Sequence, residues 1–166
     1  MNKITKNKGF TLIEAMVAIS VLLIAITGPL SMATQGLRSS RFAKNQIVSF
    51  YLAQDAVEYM RGVRDANILS DSAWIGTLYD CIGVYCQVDV TTSSISLCGT
   101  ECPLLRKSAD GLYGYNSEWE ETDFRRKVRV YHRIGSNLDE AYVEVEILWD
   151  NDTKNYKIRE SLFRLN

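Results

Sequence analysis

The sequence predicts an α+β protein in which one long N-terminal helix is followed by an antiparallel β-sheet. An uncharged apolar run extends for 23 residues, from Ala15 to Leu37, and apolar residues recur at helical spacing after it. The last 43 residues instead alternate between apolar and polar side chains, which is typical of half-buried strands. With 166 residues, the chain has room for one domain with an appendage.

The net charge, the motifs and the histidine content of the sequence argue against several classes of function. The chain has 19 basic and 20 acidic residues, so its net charge is not strongly positive and does not indicate nucleic acid as a partner. It contains no G-x-S-x-G, H-E-x-x-H or phosphate-loop motif. Its one histidine, His132, cannot form a catalytic or metal site alone. We therefore expect no enzyme activity, no cofactor and no metal ion.

The apolar run is long enough to cross a hydrocarbon core of about 30 Å as a helix. Three lysines, Lys3, Lys6 and Lys8, precede it, which predicts a cytoplasmic N-terminus and an extracytoplasmic position for residues after Leu37. Three processing outcomes of this segment are possible. The first is a signal peptide that is cut after Ala33, which gives a mature N-terminus at Thr34. The second is an uncleaved single-pass anchor, and the third is a cut before the apolar run.

Glu14 separates these three outcomes. It adjoins the apolar run, and a carboxylate at a membrane helix centre costs roughly 2.5–3.5 kcal/mol on insertion scales. Such an acid needs a partner, and neither a signal peptide nor a plain anchor has a use for one. Glu14 therefore favours a cut before the run, although an acid tolerated near the interface is the alternative.

Residues 8 to 14, Lys-Gly-Phe-Thr-Leu-Ile-Glu, resemble the processing site of type IV prepilins and type II secretion pseudopilins. The resemblance implies that a prepilin peptidase cuts between Gly9 and Phe10 and methylates the new amine of Phe10. Gly9 suits this role because its small side chain lets the backbone approach the peptidase. The mature chain, residues 10–166, would keep 16 basic and 20 acidic side chains, since three lysines leave with the leader.

The family role of Glu14 has a physical basis. The amine of Phe10 and the carboxylate of Glu14 would both lie in hydrocarbon. Pairing the amine of one subunit with the Glu14 of its neighbour relieves both charges and sets the axial register between subunits.

A helix from Thr11 to Arg64 would span roughly 80 Å, which is the lollipop plan of the pilin family. We expect Gly28-Pro29 to kink this helix, and the alternative is that the helix ends there in a loop. The predicted organisation is a cleaved leader (1–9), a transmembrane and assembly helix (10–37), an amphipathic helix (38–66) and an extracytoplasmic β head (67–166) with a cysteine region (81–102).

Residues 51 to 61 also resemble the second half of this helix in minor pilins and I-type pseudopilins. This implies a structural subunit, a minor one, of a type IV pilus. The alternatives are a type II secretion pseudopilin and a membrane-anchored binding module that never polymerises. The implied partners are other pilin subunits, prepilin peptidase, the pilus assembly platform and, before assembly, membrane lipid. The implied location is the inner membrane and then a surface filament.

Four cysteines in a segment that faces an oxidising compartment favour two disulfides over zinc, because no C-x2-C pair is present. A hairpin turning at 91–94 would favour the nested pairs Cys86–Cys98 and Cys81–Cys102. The rival is local pairing, Cys81 with Cys86 and Cys98 with Cys102. After them, residues 104–122 read as an irregular loop.

Three strands are predicted after the loop, with turns at 135–140 and 150–155. Folding about these turns puts Arg129 opposite Glu146, and Glu146 opposite Arg159. His132 alternates toward the inner face, as a core or edge residue. Three helix residues should pack against that face: Phe50, Val57 and Met60. The first strand has inward residues Phe124, Val128, Val130 and Ile134, the second Val143, Val145, Ile147 and Trp149, and the third Tyr156, Ile158 and Leu162.

The outward face of the first predicted strand carries a basic stripe with Tyr131 interleaved, which could bind DNA. Acidic cross-strand neighbours and the acidic mature chain favour a solvated, paired face. Asp150-Asn151-Asp152 could hold calcium, but its composition favours a plain Asx-rich turn. The stripe consists of Arg125, Lys127, Arg129 and Arg133.

Overall fold

A computed structural model describes residues 9–132 and 140–164. The chain divides into two compact units between Lys44 and Asn45. The described residues form helix α1 (Leu12–Leu69), a 3-10 helix (Gly76–Cys81) and a sheet of seven strands. The strands are β1 (Cys86–Asp89), β2 (Ser94–Leu97), β3 (Leu104–Lys107), β4 (Tyr113–Gly114), β5 (Glu120–His132), β6 (Glu140–Trp149) and β7 (Lys154–Phe163). The predicted α+β class is confirmed.

Helix α1 runs without interruption through Pro29. The alternative in which the helix ends at Gly28-Pro29 is therefore wrong, while the kink there stays a prediction. Pro29 deprives only the carbonyl of Ala25 of its hydrogen-bond donor, so the helix continues with the loss of one hydrogen bond. The helix ends where Asp71 adopts a left-handed φ of 56° and the Ser72 amide donates to the Asn67 carbonyl at 2.9 Å.

Strand β5 is the centre of the sheet. Strand β6 lies along one of its edges and pairs in turn with β7. The other edge of β5 is shared by β3 and β1, which pair with β4 and β2 respectively. All of these pairings are antiparallel, so the predicted C-terminal meander is confirmed.

Both predicted registers are wrong by two residues. Arg129 stands opposite Glu144 rather than Glu146, and Glu144, not Glu146, stands opposite Arg159. Side chains on a strand repeat every second residue, so a shift of two keeps every side chain on its predicted face. The alternation therefore predicted the faces and left the register open.

The segment 104–122, expected to be an irregular loop, contains β3, β4 and the start of β5. Leu105 on β3 is fully buried, and its carbonyl accepts a hydrogen bond from the Thr122 hydroxyl at 2.7 Å. Short strands form here because β5 extends upstream to Glu120 and offers β3 an edge to pair with.

The nested disulfide prediction is wrong, and the local alternative is the one observed. Cys81 bonds to Cys86 and Cys98 bonds to Cys102, with Cα atoms 5.6 and 4.6 Å apart. The predicted hairpin forms as β1 and β2, but Cys86 stands opposite Leu97. This one-residue difference moves Cys98 off the face that Cys86 occupies, so each cysteine bonds to a neighbour in sequence.

The second half of α1 buries one face in the core of the second unit, together with the sheet. Val57 and Met60 are buried as predicted, whereas Phe50 remains 37% exposed and meets the ring of Tyr156 edge-on. Ala53 and Ala56 are both fully buried, and their small side chains allow a close approach. Arg133, Ile134 and most of the turn predicted at 135–140 lie outside the described residues, as does the leader before Gly9.

Candidate functional site

The N-terminal segment places its predicted site residues around the first turn of α1. Gly9 and Phe10 precede the helix, and Phe10 is 78% exposed. The Thr11 hydroxyl oxygen accepts a hydrogen bond from the backbone amide of Glu14 at 3.3 Å, which caps the helix. Glu14 therefore lies in the first turn, where the helix dipole favours a negative charge.

Behind Glu14, the apolar half of α1 is exposed along its whole length. No residue from Leu12 to Leu37 is buried within the described part of the chain. This part of α1 is, by length and composition, apolar enough to cross a membrane, and it lies near the N-terminus. Its large apolar side chains include Ile13, Val17, Leu22, Ile24 and Leu30. A surface of this extent is typical of a helix that meets lipid or other helices.

The hydroxyl groups in this half of α1 bond to the helix itself. Ser20 donates to the Met16 carbonyl at 2.8 Å, and Thr27 donates to the Leu23 carbonyl at 2.9 Å. Thr34 donates to the Ser31 carbonyl at 2.8 Å. Because these hydroxyls are satisfied within the helix, they cost little in an apolar environment. Glu14 is the one charged residue between Gly9 and Leu37.

A groove of about 820 Å³ lies in the second unit between α1, the loop before β4 and strand β7. Gly111, with φ of 89°, turns this loop so that Leu112 lines the groove. Arg61 forms an ion pair with Glu160 and lies 3.6 Å from the carboxylate of Glu58. The walls thus combine apolar and charged groups. From α1 they include Val48, Tyr51, Asp55, Glu58 and Arg61, and opposite them Leu112, Tyr113, Ile158 and Glu160.

Arg126 is a buried charge that the sequence analysis missed. Its side chain has no exposed surface, and it donates to the backbone carbonyls of Leu52 on α1 and Val88 on β1. It also pairs with the half-exposed carboxylate of Asp55 at 3.2 Å. A signal was available, because Phe124 and Val128 face inward and the residue midway between them on a strand must do the same. Arg126 therefore ties α1 to two strands.

The hydroxyl of Tyr115 and the side chain of Asp89 are further buried polar groups of the second unit. Burial raises the pKa of Tyr115, against the lowering effect of Arg126. For Asp89, burial opposes ionisation, but hydrogen bonds from Thr91 and Thr92 outweigh it and lower its pKa. The carboxylate of Asp89 accepts from both the amide and the hydroxyl of Thr91, which fixes the turn after β1.

On the outward face of the sheet, Glu144 forms ion pairs with several basic side chains. It is only 3% exposed and accepts from Arg159 at 2.7 Å and from Arg129 at 3.0 Å, with Lys157 at 3.6 Å. Burial alone would raise its pKa, but these hydrogen bonds and charges lower it to about 2. The hydroxyl of Tyr131 also donates to it at 3.3 Å.

The predicted basic stripe is therefore largely engaged within the chain. Arg129 stacks 4.5 Å from the ring centres of both Tyr85 and Tyr131, and Lys127 lies 5.7 Å from Tyr85. Arg125 pairs with Glu101 at 3.0 Å. This arrangement agrees with the interpretation of a paired face rather than a DNA-binding one. Arg133 lies outside the described residues.

Two remaining sequence candidates lie at strand ends. His132 is half-buried at the end of β5, opposite Ala141. The turn Asp150–Thr153 has three consecutive residues with positive φ, from Asp150 to Asp152, and Asp152 lies 3.4 Å from Arg125. Within residues 9–132 and 140–164, no group of three or more potential metal ligands comes together.

Comparison with known proteins gives one match. Residues 4–28 match a family model described as the prokaryotic N-terminal methylation motif. No curated protein and no solved structure matches the chain. The matched residues contain Gly9, Phe10, Glu14 and the first part of the apolar run, up to Gly28. Residues 4–28 of this chain therefore carry the N-terminal methylation motif, which is typical of type IV prepilin-like proteins.

Proposed function

We propose that this protein is a structural subunit, a minor one, of a type IV pilus or a related filament. The observation that carries the proposal is Glu14, a carboxylate at the start of a helix whose apolar side chains are exposed from Leu12 to Leu37. It lies within the methylation motif. A carboxylate so placed needs a cationic partner in hydrocarbon, and prepilin processing creates one.

The first step is proteolysis. Hydrolysis of the peptide bond between Gly9 and Phe10 releases residues 1–9 and leaves an amine on Phe10, which is then methylated. The new cation lies beside the N-terminus of α1, where the helix dipole disfavours positive charge. A carboxylate from a neighbouring subunit compensates both the dipole and the apolar surroundings, and Glu14 is the group that supplies it.

Before assembly, α1 anchors the chain in the inner membrane. The lysines at positions 3, 6 and 8 keep the leader in the cytoplasm, and the second unit lies outside. The two disulfides of that unit suit an oxidising compartment. The assembly platform then transfers the apolar half of α1 from lipid to sister helices, in an interface that repeats without closing and so builds a fibre.

The function is structural rather than catalytic, as is general for prepilin-like proteins. A minor rather than a major role is supported by the resemblance of residues 51–61 to minor pilins and I-type pseudopilins. A type II secretion pseudopilus is the related alternative. Detection of the chain in sheared surface pili would favour the pilus, and its retention in a secretion-dependent periplasmic filament would favour the alternative.

Two measurements test the proposal. Intact mass and N-terminal sequencing of the mature protein should show a methylated phenylalanine, Phe10, as the first residue. A start at Met1 or Thr34 would contradict this.

The second measurement compares Glu14→Ala with Asp123→Ala, which removes an exposed acid from β5. Filament incorporation should be lost only in Glu14→Ala, while membrane levels of both variants stay normal. Unchanged incorporation of Glu14→Ala would refute the assembly role and leave a membrane-anchored module.

A further inference from the structure

The groove of the second unit has apolar walls and an excess of negative charge. Three carboxylates, Asp55, Glu58 and Glu160, line it together with one cation, Arg61. The side chain of Glu58 is 79% exposed, and that of Asp55 is 45% exposed although it also pairs with Arg126. Tyr51 and Leu112 are 64% and 56% exposed on its walls. A partner that fits must bring positive charges flanked by apolar side chains.

Helix α1 itself contains such a segment, just before the groove residues in sequence. Arg38, Arg41 and Lys44 are all exposed and recur at intervals of three residues. Leu37 and Phe42 beside them are 63% and 45% exposed. Residues spaced by three or four lie on one helix face, so this segment presents a basic, partly apolar surface.

We propose that the groove receives residues 37–44 of a second copy of this chain, whose α1 runs parallel and is displaced by 14 residues. This inference rests on the proposed filament function and specifies one of its interfaces. A displacement of 14 residues is about 21 Å along the helix and close to four whole turns, so the same faces meet. It places Arg41 opposite Asp55, Lys44 opposite Glu58 and Leu37 opposite Tyr51.

Other registers lose this match. A displacement of 17 residues brings Lys44 against Arg61. An antiparallel copy that pairs Arg41 with Glu58 brings Arg38 against Arg61. Like charges in contact are unfavourable, so both arrangements are disfavoured. The parallel direction also follows from the proposed function, because every copy enters the membrane with the same orientation.

The resulting contact is heterologous. Each copy offers its basic segment to one neighbour and its groove to another, so the contact forms wherever two copies are adjacent in a filament. The pairing of Phe10 with Glu14 involves a displacement of only about 6 Å and hence a different neighbour. The two contacts would together connect each subunit to neighbours at two heights.

Engineered cysteines test the register directly in the full chain. The double variant Lys44→Cys with Glu58→Cys should give a disulfide-linked dimer on a non-reducing gel wherever two copies are adjacent. A matched control, Lys44→Cys with Asp65→Cys, keeps the second cysteine on the same side of α1 but two turns away, where we expect no dimer. Equal dimer yields from both pairs, or no dimer from the first pair either in cells or in concentrated detergent solution, would overturn the inference.

Charge exchange provides a second readout. Lys44→Glu and Glu58→Lys should each lower filament incorporation at least about fivefold, and the combined variant should restore it because the attraction is rebuilt in reverse. Failure of the combined variant to exceed either single one would count against this contact.

The same cysteine pair, purified as the full chain in detergent and concentrated, separates this inference from the proposed function. Cross-linking in detergent without incorporation in cells would leave the groove contact standing and refute the filament role. Filaments in cells without cross-links at either stage would refute the groove contact alone.

Discussion

The two units of the chain differ in what happens to their apolar side chains, which are exposed in the first unit and form a buried core in the second. In the first, from Leu12 to Lys44, every described residue is exposed, although most are apolar. In the second, α1 continues with the same backbone hydrogen bonding but buries Leu52, Val57 and Met60 in a core. The backbone of α1 is thus helical in both units, and only the source of its stability differs. The second unit is stabilised within one chain, while the first requires lipid or other chains.

The largest expected difference in the free energy of unfolding is between substitutions of two methionines on α1. Met60 is fully buried and Met16 is 62% exposed. Met60→Ala should lower the free energy of unfolding of the second unit by about 3 kcal/mol, because it removes buried surface and leaves a cavity. Met16→Ala should change it by less than about 0.5 kcal/mol.

Urea unfolding of the full chain in detergent, followed by tryptophan near-ultraviolet circular dichroism, measures this difference, since all three tryptophans lie after residue 70. Equal effects of the two substitutions would mean that both halves of α1 contribute to one core. That result would contradict the comparison.

The next effect concerns Glu144, whose carboxylate the second unit holds among basic groups. Its pKa is about 2 in the folded protein against an ordinary 4.5. The carboxylate therefore contributes fully above pH 4.5, and its contribution is lost as the pH falls toward 2. The loss is about 3 kcal/mol at most.

Urea midpoints measured from pH 5 to pH 2 should fall less steeply in Glu144→Gln than in the parent protein. The matched variant Glu146→Gln, on the same strand, should keep most of the parent slope. If the Glu144→Gln and parent curves run parallel, the ion cluster does not stabilise the fold.

Two glycines give a smaller contrast. A Cβ atom on Gly114 would lie 2.9 Å from the Thr91 hydroxyl and 3.0 Å from the Trp119 ring, whereas one on Gly36 would meet nothing within 4 Å. Gly114→Ala should destabilise the second unit by about 1–3 kcal/mol through overpacking. Gly36→Ala should be neutral or should favour the helix by up to about 1 kcal/mol. Thermal unfolding of both variants would show whether the order is reversed.

The last prediction concerns the disulfide connectivity and involves no change in stability. A protease that cuts before aspartate separates residues 80–88 from residues 89–109. Local pairing leaves each peptide with its own internal disulfide, so the two should run as separate masses without reduction. A single linked mass would contradict the local pairing.

How far the sequence predicts this protein differs between the two units. For the first, the methylation motif, Glu14 and the uncharged run are local signals, and helix α1 and the family match agree with them. For the second, alternation predicted which side chains of β5 to β7 face inward, because the pleat repeats every two residues. It could not predict register, because a shift of two leaves the pattern unchanged.

The groove and the buried Arg126 were missed in the sequence analysis for a related reason. Both depend on which part of α1 meets which strand, and this contact joins residues more than 70 positions apart. Arg126 was overlooked because an arginine in a basic stretch is normally exposed to solvent. Its position between Phe124 and Val128 is what marks its side chain as facing inward. This position is informative only when the segment is known to be a strand, in which every second side chain faces the same side.

The internally bonded hydroxyls of Ser20, Thr27 and Thr34 have a consequence for selectivity. Because their donor hydrogens are used within α1, these hydroxyls donate no hydrogen bond to a neighbouring helix and can only accept one. In the proposed assembly, recognition would then depend mainly on the shapes of the apolar side chains and on the pairing of Glu14 with the free amine of a processed neighbour.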